Sequence, residues 1–356
     1  MTVDEKIGQM FIVGFDGTEL SDPIAQLIKK YKIGGIILFS RNYSNISQLI
    51  KLINDLQSCC LRYQDMPLFI SVDQEGGRVS RFGEPFTQFP SCAILGDLNQ
   101  EKQTKSYAST LAKELKICGI NMNYAPVLDV LTNCENEVIG DRAFGSNPEL
   151  VAFHGNIVIK EFLKQKLIPV GKHFPGHGGS ALDSHVELPE VDASLDHLKE
   201  TETVPFQEAI HNGLEVIMTA HVMFHKVNPT FPATLSKTIL THFLKEELEF
   251  NGLIMTDDLE MGSIEKNFSE QEIPVLAVKA GADCLLVCHN HSKQTAFMEE
   301  LKKAVRHGNI TEIRIQESFD KIAALKRKYL IPFQKADYYE AKKLLQCNSI
   351  NRRPTS

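Results

Sequence analysis

The residues most able to do chemistry crowd into one stretch, Lys172-His173-Phe174-Pro175-Gly176-His177-Gly178-Gly179-Ser180-Ala181-Leu182-Asp183-Ser184-His185. Three histidines, an aspartate, a lysine and three glycines follow directly on the apolar run Leu167-Ile168-Pro169-Val170-Gly171. Glycine lacks a Cβ and takes conformations other residues resist, so the segment reads as a shaped loop at a strand end. Ionisable groups placed there are how a rigid scaffold presents chemistry. Asp183 and His185 are two apart, so in an extended stretch both leave the same face. A carboxylate beside an imidazole orients the ring and favours its protonated form, which makes a proton donor at neutral pH. The plainer alternative is a glycine-rich turn carrying surface histidines.

Three further segments have matching character. Met255-Thr256-Asp257-Asp258-Leu259-Glu260-Met261 closes an apolar run, and strand alternation lets only one of the paired aspartates face inward. A carboxylate there, with a proton donor nearby, suits glycoside hydrolysis, although two aspartates capping a following helix would look the same. Ser71-Val72-Asp73-Gln74-Glu75-Gly76-Gly77-Arg78-Val79-Ser80-Arg81 puts carboxylates and guanidinium groups at another strand end, as a sugar-hydroxyl site requires. Ile139-Gly140-Asp141-Arg142-Ala143-Phe144-Gly145 is weak alone, because a lone loop arginine is usually a solvated charge.

The elements that must hold these segments alternate along the whole chain of 356 residues. Strands are expected at 11–15, 35–39, 67–73, 120–130, 168–173, 216–222, 253–257 and 284–288. Helices are expected near 22–32, 44–60, 99–117, 148–166, 195–213, 236–249, 269–281 and 292–307, then at 311–330 and 336–347. Strands apolar throughout imply a parallel sheet covered by helices. Eight repeats favour an α/β fold of the (β/α)8 TIM-barrel type with extra C-terminal helices over an open sheet. Asp73, His173, His221 and Asp257 all fall at strand C-terminal ends, which in a barrel converge on one mouth. Residues 1–330 are expected to form the barrel, with 331–356 a C-terminal helix and polar tail.

Composition excludes several classes. Charged residues are 23% and the net charge is −7 with scattered lysines and arginines, so no basic stripe argues for nucleic acid. No apolar run approaches the ~20 residues of a membrane helix. No cationic, apolar leader opens the chain. The eight cysteines lack zinc-type pairing with histidines, and several sit in apolar runs, so free thiols in a reducing, cytoplasmic compartment are expected.

Taken in order, DQEGGRVSRF, IGDRAFGSNP, KHFPGHGGSALDSH and MTDDLEM resemble the family 3 glycoside hydrolases, over roughly residues 3–330. The likeness is greatest to single-domain bacterial β-N-acetylglucosaminidases of peptidoglycan recycling. The resemblance implies that Asp257 is the nucleophile and that His185, assisted by Asp183, is the general acid/base. It assigns Asp73, Arg81, Arg142, Lys172 and His173 to binding N-acetylglucosamine in the −1 subsite. Gly179 departs from the family, where aspartate is usual, without removing a catalytic group. The implied reaction is retaining removal of non-reducing terminal N-acetylglucosamine from muropeptides, by a monomer needing no cofactor or metal. Phosphorolysis and action on chito-oligosaccharides are the alternatives on the same site. A metal-dependent hydrolase built on His173, His177, Asp183 and His185 is disfavoured by the lysine at 172, and a non-catalytic sugar-binding barrel by the presence of both Asp257 and His185.

Overall fold

The computed structural model describes residues 1–180 and 187–350. Nine parallel strands form its sheet: β1 (Phe11–Val13), β2 (Gly35–Leu38), β3 (Phe69–Val72), β4 (Met122–Asn123), β5 (Ile168–Pro169), β6 (Gly171–Phe174), β7 (Val216–Thr219), β8 (Leu253–Asp258) and β9 (Cys284–Val287). Their order is β5-β4-β3-β2-β1-β9-β8-β7-β6. The two ends of that order are consecutive in the chain, so β5 and β6 are halves of one broken strand and the sheet closes on itself. Across the break, Val127 bridges Lys172 in parallel, and the Leu128 amide donates to the Lys172 carbonyl at 2.6 Å. The result is a (β/α)8-type TIM barrel.

The single strand expected at 168–173 is therefore two, with β5 paired to β4 and β6 to β7. The expected strand 120–130 shrinks to Met122–Asn123, and beyond it the pairing continues as the isolated Val127–Lys172 bridge. Every residue of β1, β2, β3, β6, β7 and β9 is buried, which accounts for the apolar or small-polar character of all but β6, whose Lys172 and His173 are held by buried acids. The helix expected at 195–213 breaks into Leu195–Glu200 and Val204–His211, and Gly213 then takes φ +90, a conformation favouring glycine.

Outside the strands, the helix Pro148–Lys164 packs between Glu101–Ile117 and Val204–His211. Asn147 caps its start by accepting the Leu150 amide at 2.7 Å. The helix Tyr338–Ile350 lies on Ile46–Cys60 and Glu101–Ile117. The connecting segment is pinned where Asn54 exchanges two hydrogen bonds with the Ala336 backbone, at 2.9 and 3.1 Å. Among the described residues, no helix is long and apolar enough to cross a membrane.

Candidate active site

The mouth is assembled from the residues following β3, β4, β6, β7 and β8. Asp73, immediately after β3, and Glu75 two residues on present carboxylates to Lys172 of β6. The Lys172 ammonium lies 2.8 Å from Asp73 Oδ1 and 2.5 Å from Glu75 Oε1. Arg142, from the turn Gly140–Arg142, grips Glu75 through Nε and Nη2, both at 2.9 Å, while its Nη1 donates to the Val138 carbonyl. This planar two-bond geometry is one that arginine alone offers a carboxylate. Arg81 Nη2 reaches Asp73 Oδ2 at 3.4 Å, and its Nε is buried without a hydrogen-bond partner among the described residues.

Glu75 is 2% exposed and so is Lys172, so these charges are held almost entirely by one another. Burial by itself would raise the Glu75 carboxyl, but Arg142 and Lys172 outweigh it and hold it well below the usual carboxylate range. Burial would likewise lower Lys172, yet Asp73 and Glu75 keep it above an ordinary lysine. Removing one partner of such a buried network leaves an uncompensated charge, so Glu75→Ala is expected to cost about 3–5 kcal/mol of folding stability. Urea unfolding checks this, and a loss below about 1 kcal/mol, typical of an exposed pair, would contradict it.

A second cluster centres on Asp129, fully buried after β4. Its Oδ2 lies 2.6 Å from His173 Nδ1, and its Oδ1 accepts the backbone amides of His173 (3.2 Å) and His177 (2.7 Å). Burial opposes its ionisation, but the His173 and His177 contacts prevail and lower its pKa. A proton on His173 Nδ1 is thereby favoured, leaving Nε2, 3.5 Å from Arg142 Nη2, directed to the mouth. Neighbours on a strand normally face apart, yet Lys172 and His173 both serve this site; the peptide joining them is cis.

Asp257, near the end of β8, is partly exposed, and its Oδ1 accepts the Asp258 amide at 2.8 Å. Burial would raise its carboxyl, but the imidazoles of His173 and His221 and the Lys172 ammonium outweigh that and keep it ionised below the usual range. His221 is fixed by Thr234 Oγ1 at 2.7 Å and by the Asp258 carbonyl at 2.9 Å. Asp258 turns away from this group. Its Oδ1 accepts the Cys288 and Glu260 amides, at 3.1 and 3.2 Å, tying this carboxyl to the backbone after β8 and β9.

Burial, with the charges of Glu260 and Asp257 adding to it, pushes Asp258 up to about 8. A carboxyl raised on folding contributes stability fully below its unfolded pKa, and that contribution is lost as pH rises through the folded value, here about 8. Asp258→Asn should consequently gain stability relative to the parent between pH 5 and pH 9. Urea midpoints at the two pH values measure it, and an unchanged difference would refute the protonated carboxyl.

The loop after β6 is shaped by two close approaches. A Cβ at Gly178 would stand 1.8 Å from the Val130 carbonyl oxygen, and Gly176 has φ +142 against Glu202. Beyond Ser180 the loop carries Asp183 and His185, which lie outside the described residues. Of the expected −1 subsite residues, Asp73, Arg81, Arg142, Lys172 and His173 come together in one connected network around Asp257. Glu75 and Asp129, not singled out from the sequence, organise it. A signal for each existed: a carboxylate two residues from Asp73, and a lone acid inside the apolar run Val127-Leu128-Asp129-Val130, which burial obliges to find a partner.

Residues 2–325 match the family described as Glycosyl hydrolase family 3 N terminal domain. Beta-hexosaminidase A of Pseudoalteromonas piscicida is 36% identical over 335 residues, 87% of this chain but 56% of that enzyme. The Beta-hexosaminidase of Idiomarina loihiensis is 36% identical over 285 residues, 79% of this chain and 84% of the relative. Among solved structures, a glycoside hydrolase family 3 beta-N-acetylglucosaminidase from Paenibacillus sp. str. FPU-7 superimposes with a TM-score of 0.91 at 38% identity. The match covers 98% of this chain and 68% of that one.

Proposed function

We propose that this chain, which belongs to glycosyl hydrolase family 3, is a retaining exo-β-N-acetylglucosaminidase. The observation that carries the reading is Asp257: a partly exposed carboxylate at a barrel strand's C-terminal end, kept ionised by His173, His221 and Lys172. The relatives named as hexosaminidases support the choice of sugar.

In the proposed reaction, Asp73, Arg81, Arg142, Lys172 and His173 bind a terminal N-acetylglucosamine so that C1 faces the Asp257 carboxylate. An Asp257 oxygen bonds to C1 as the glycosidic C1–O bond breaks, and His185, oriented by Asp183, gives its proton to the departing oxygen. Water then attacks C1 as neutral His185 takes its proton, the Asp257–C1 ester breaks, and two inversions yield net retention. Because Arg142 and Lys172 are already engaged with Glu75 and Asp73, they enter the reaction pre-oriented. Preorganised charge costs no rearrangement as charge develops. The polar, cation-lined mouth suits hydroxyl-rich and anionic substrates, and the proposed natural substrate is a muropeptide carrying N-acetylglucosamine on muramic or anhydromuramic acid, acted on in the cytoplasm by a monomer.

A matched pair of chromogenic β-N-acetylglucosaminide and β-glucoside tests this, with and without added phosphate. Cleavage of the acetamido sugar alone, releasing free N-acetylglucosamine even with phosphate, is the expected result. Equal cleavage of both removes the sugar assignment, and a sugar 1-phosphate product replaces hydrolysis with phosphorolysis.

A further inference from the structure

A second cavity, of about 560 Å³, opens at the opposite end of the barrel from Asp257. Gly119 and Asn121, just before β4, and Gln165 and Lys166, just before β5, line its floor. In a parallel barrel these positions lie at the face opposite the mouth. Its outer wall is the segment from Lys328 to Leu344, beyond the stretch 2–325 that matches the family.

Five lysines line this cavity: Lys113, Lys116, Lys166, Lys328 and Lys335. Lys328 is paired with Glu215 at 2.7 Å, while the other four make no ion pair among the described residues. The acidic lining is slight. The lining carries two acids: Asp337, which caps the last helix by accepting the Tyr339 and Glu340 amides at 2.8 and 3.0 Å, and Glu340. With roughly half a negative charge from the C-terminal end of Glu101–Ile117 added, they still leave the four ammonium groups in excess. Burial and the charge of Lys166 together lower Lys116 to about 8, the signature of a cation lacking a counter-charge.

We propose that this cavity binds a small phosphorylated anion, its phosphate oxygens taken up by Lys116 and Lys166, with Lys113 and Lys335 closing over them. Ammonium groups are compact donors well suited to phosphate oxygens. The concave, walled shape selects a small molecule over a flat surface. The site is independent of the sugar-binding mouth and stands whether or not the hydrolase reading does.

Calorimetric titration with inorganic pyrophosphate, against sodium chloride of equal ionic strength, tests it on the full chain. Saturable one-site binding is expected, weakened by at least about tenfold in Lys116→Gln and in Lys166→Gln, since each removes a charge-assisted bond. Lys51→Gln, at a lysine already paired with Asp55, should bind as the parent does. NMR of ¹³C-labelled lysine should show the Lys116 titration moving upward from about 8 when pyrophosphate is bound. Absence of saturable binding at millimolar pyrophosphate would overturn the site, as would equal binding by the lysine variants. Binding to phosphatidylglycerol vesicles without binding to pyrophosphate would overturn a small-molecule ligand.

Discussion

Asp257→Ala should lower turnover of a β-N-acetylglucosaminide by roughly 10⁴–10⁶-fold, the scale on which covalent enzymes lose rate when their nucleophile is removed. Folding should be little affected, because among the described residues Asp257 accepts one hydrogen bond, from the Asp258 amide. Asp258→Ala should behave in the opposite sense. It strips the acceptor from the Cys288 and Glu260 amides and so injures structure more than chemistry. A 2-acetamido-2-deoxy-5-fluoro glycosyl fluoride should label the peptide containing Asp257, and NMR of the first product should show retained configuration. Label on another peptide, or an inverted product, would remove Asp257 from this role. The pH dependence carries a further check. Because the carboxyl is held below the usual range, kcat/KM should not fall between pH 7 and pH 5 through loss of the Asp257 charge.

Loss of His185 should cost about 10²–10⁴-fold with a poor leaving group, the usual worth of general acid–base catalysis. Asp183→Ala should produce much of that loss by itself, since an unsupported imidazole is less well oriented and less readily protonated. The double variant should be scarcely worse than the His185 variant, because groups that act as a unit are not additive. Losses that multiply in this cycle would show that the two act separately. A substrate with a good leaving group should be less sensitive at the first step, as it needs little proton donation.

Much of the barrel could be read directly from the chain. Strands buried on both faces must be apolar along their length, and that run-and-helix alternation survives in the sequence. The break within 168–173 leaves no mark in composition: the Val170 amide is shared between the Asn123 carbonyl of β4 and the Ala125 carbonyl beyond it, where the chain passes from β5 to β6.

The amino-acid sequence by itself determined which residues could do chemistry and that they fall at strand C-terminal ends, where parallel strands in a closed sheet must bring them together. Tertiary structure alone decided how their charges are settled. Glu75 meets Arg142 across 67 residues and Lys172 across 97, Asp129 meets His173 across 44, and no periodicity records such pairings. It also set the ionisation of Asp257 apart from that of Asp258. Adjacent and chemically identical in the chain, they differ because three cationic or imidazole groups face the first, whereas burial, Glu260 and two backbone amides surround the second. Ionisation is a property of the surroundings, and for these two carboxyls the surroundings exist only once the barrel has closed.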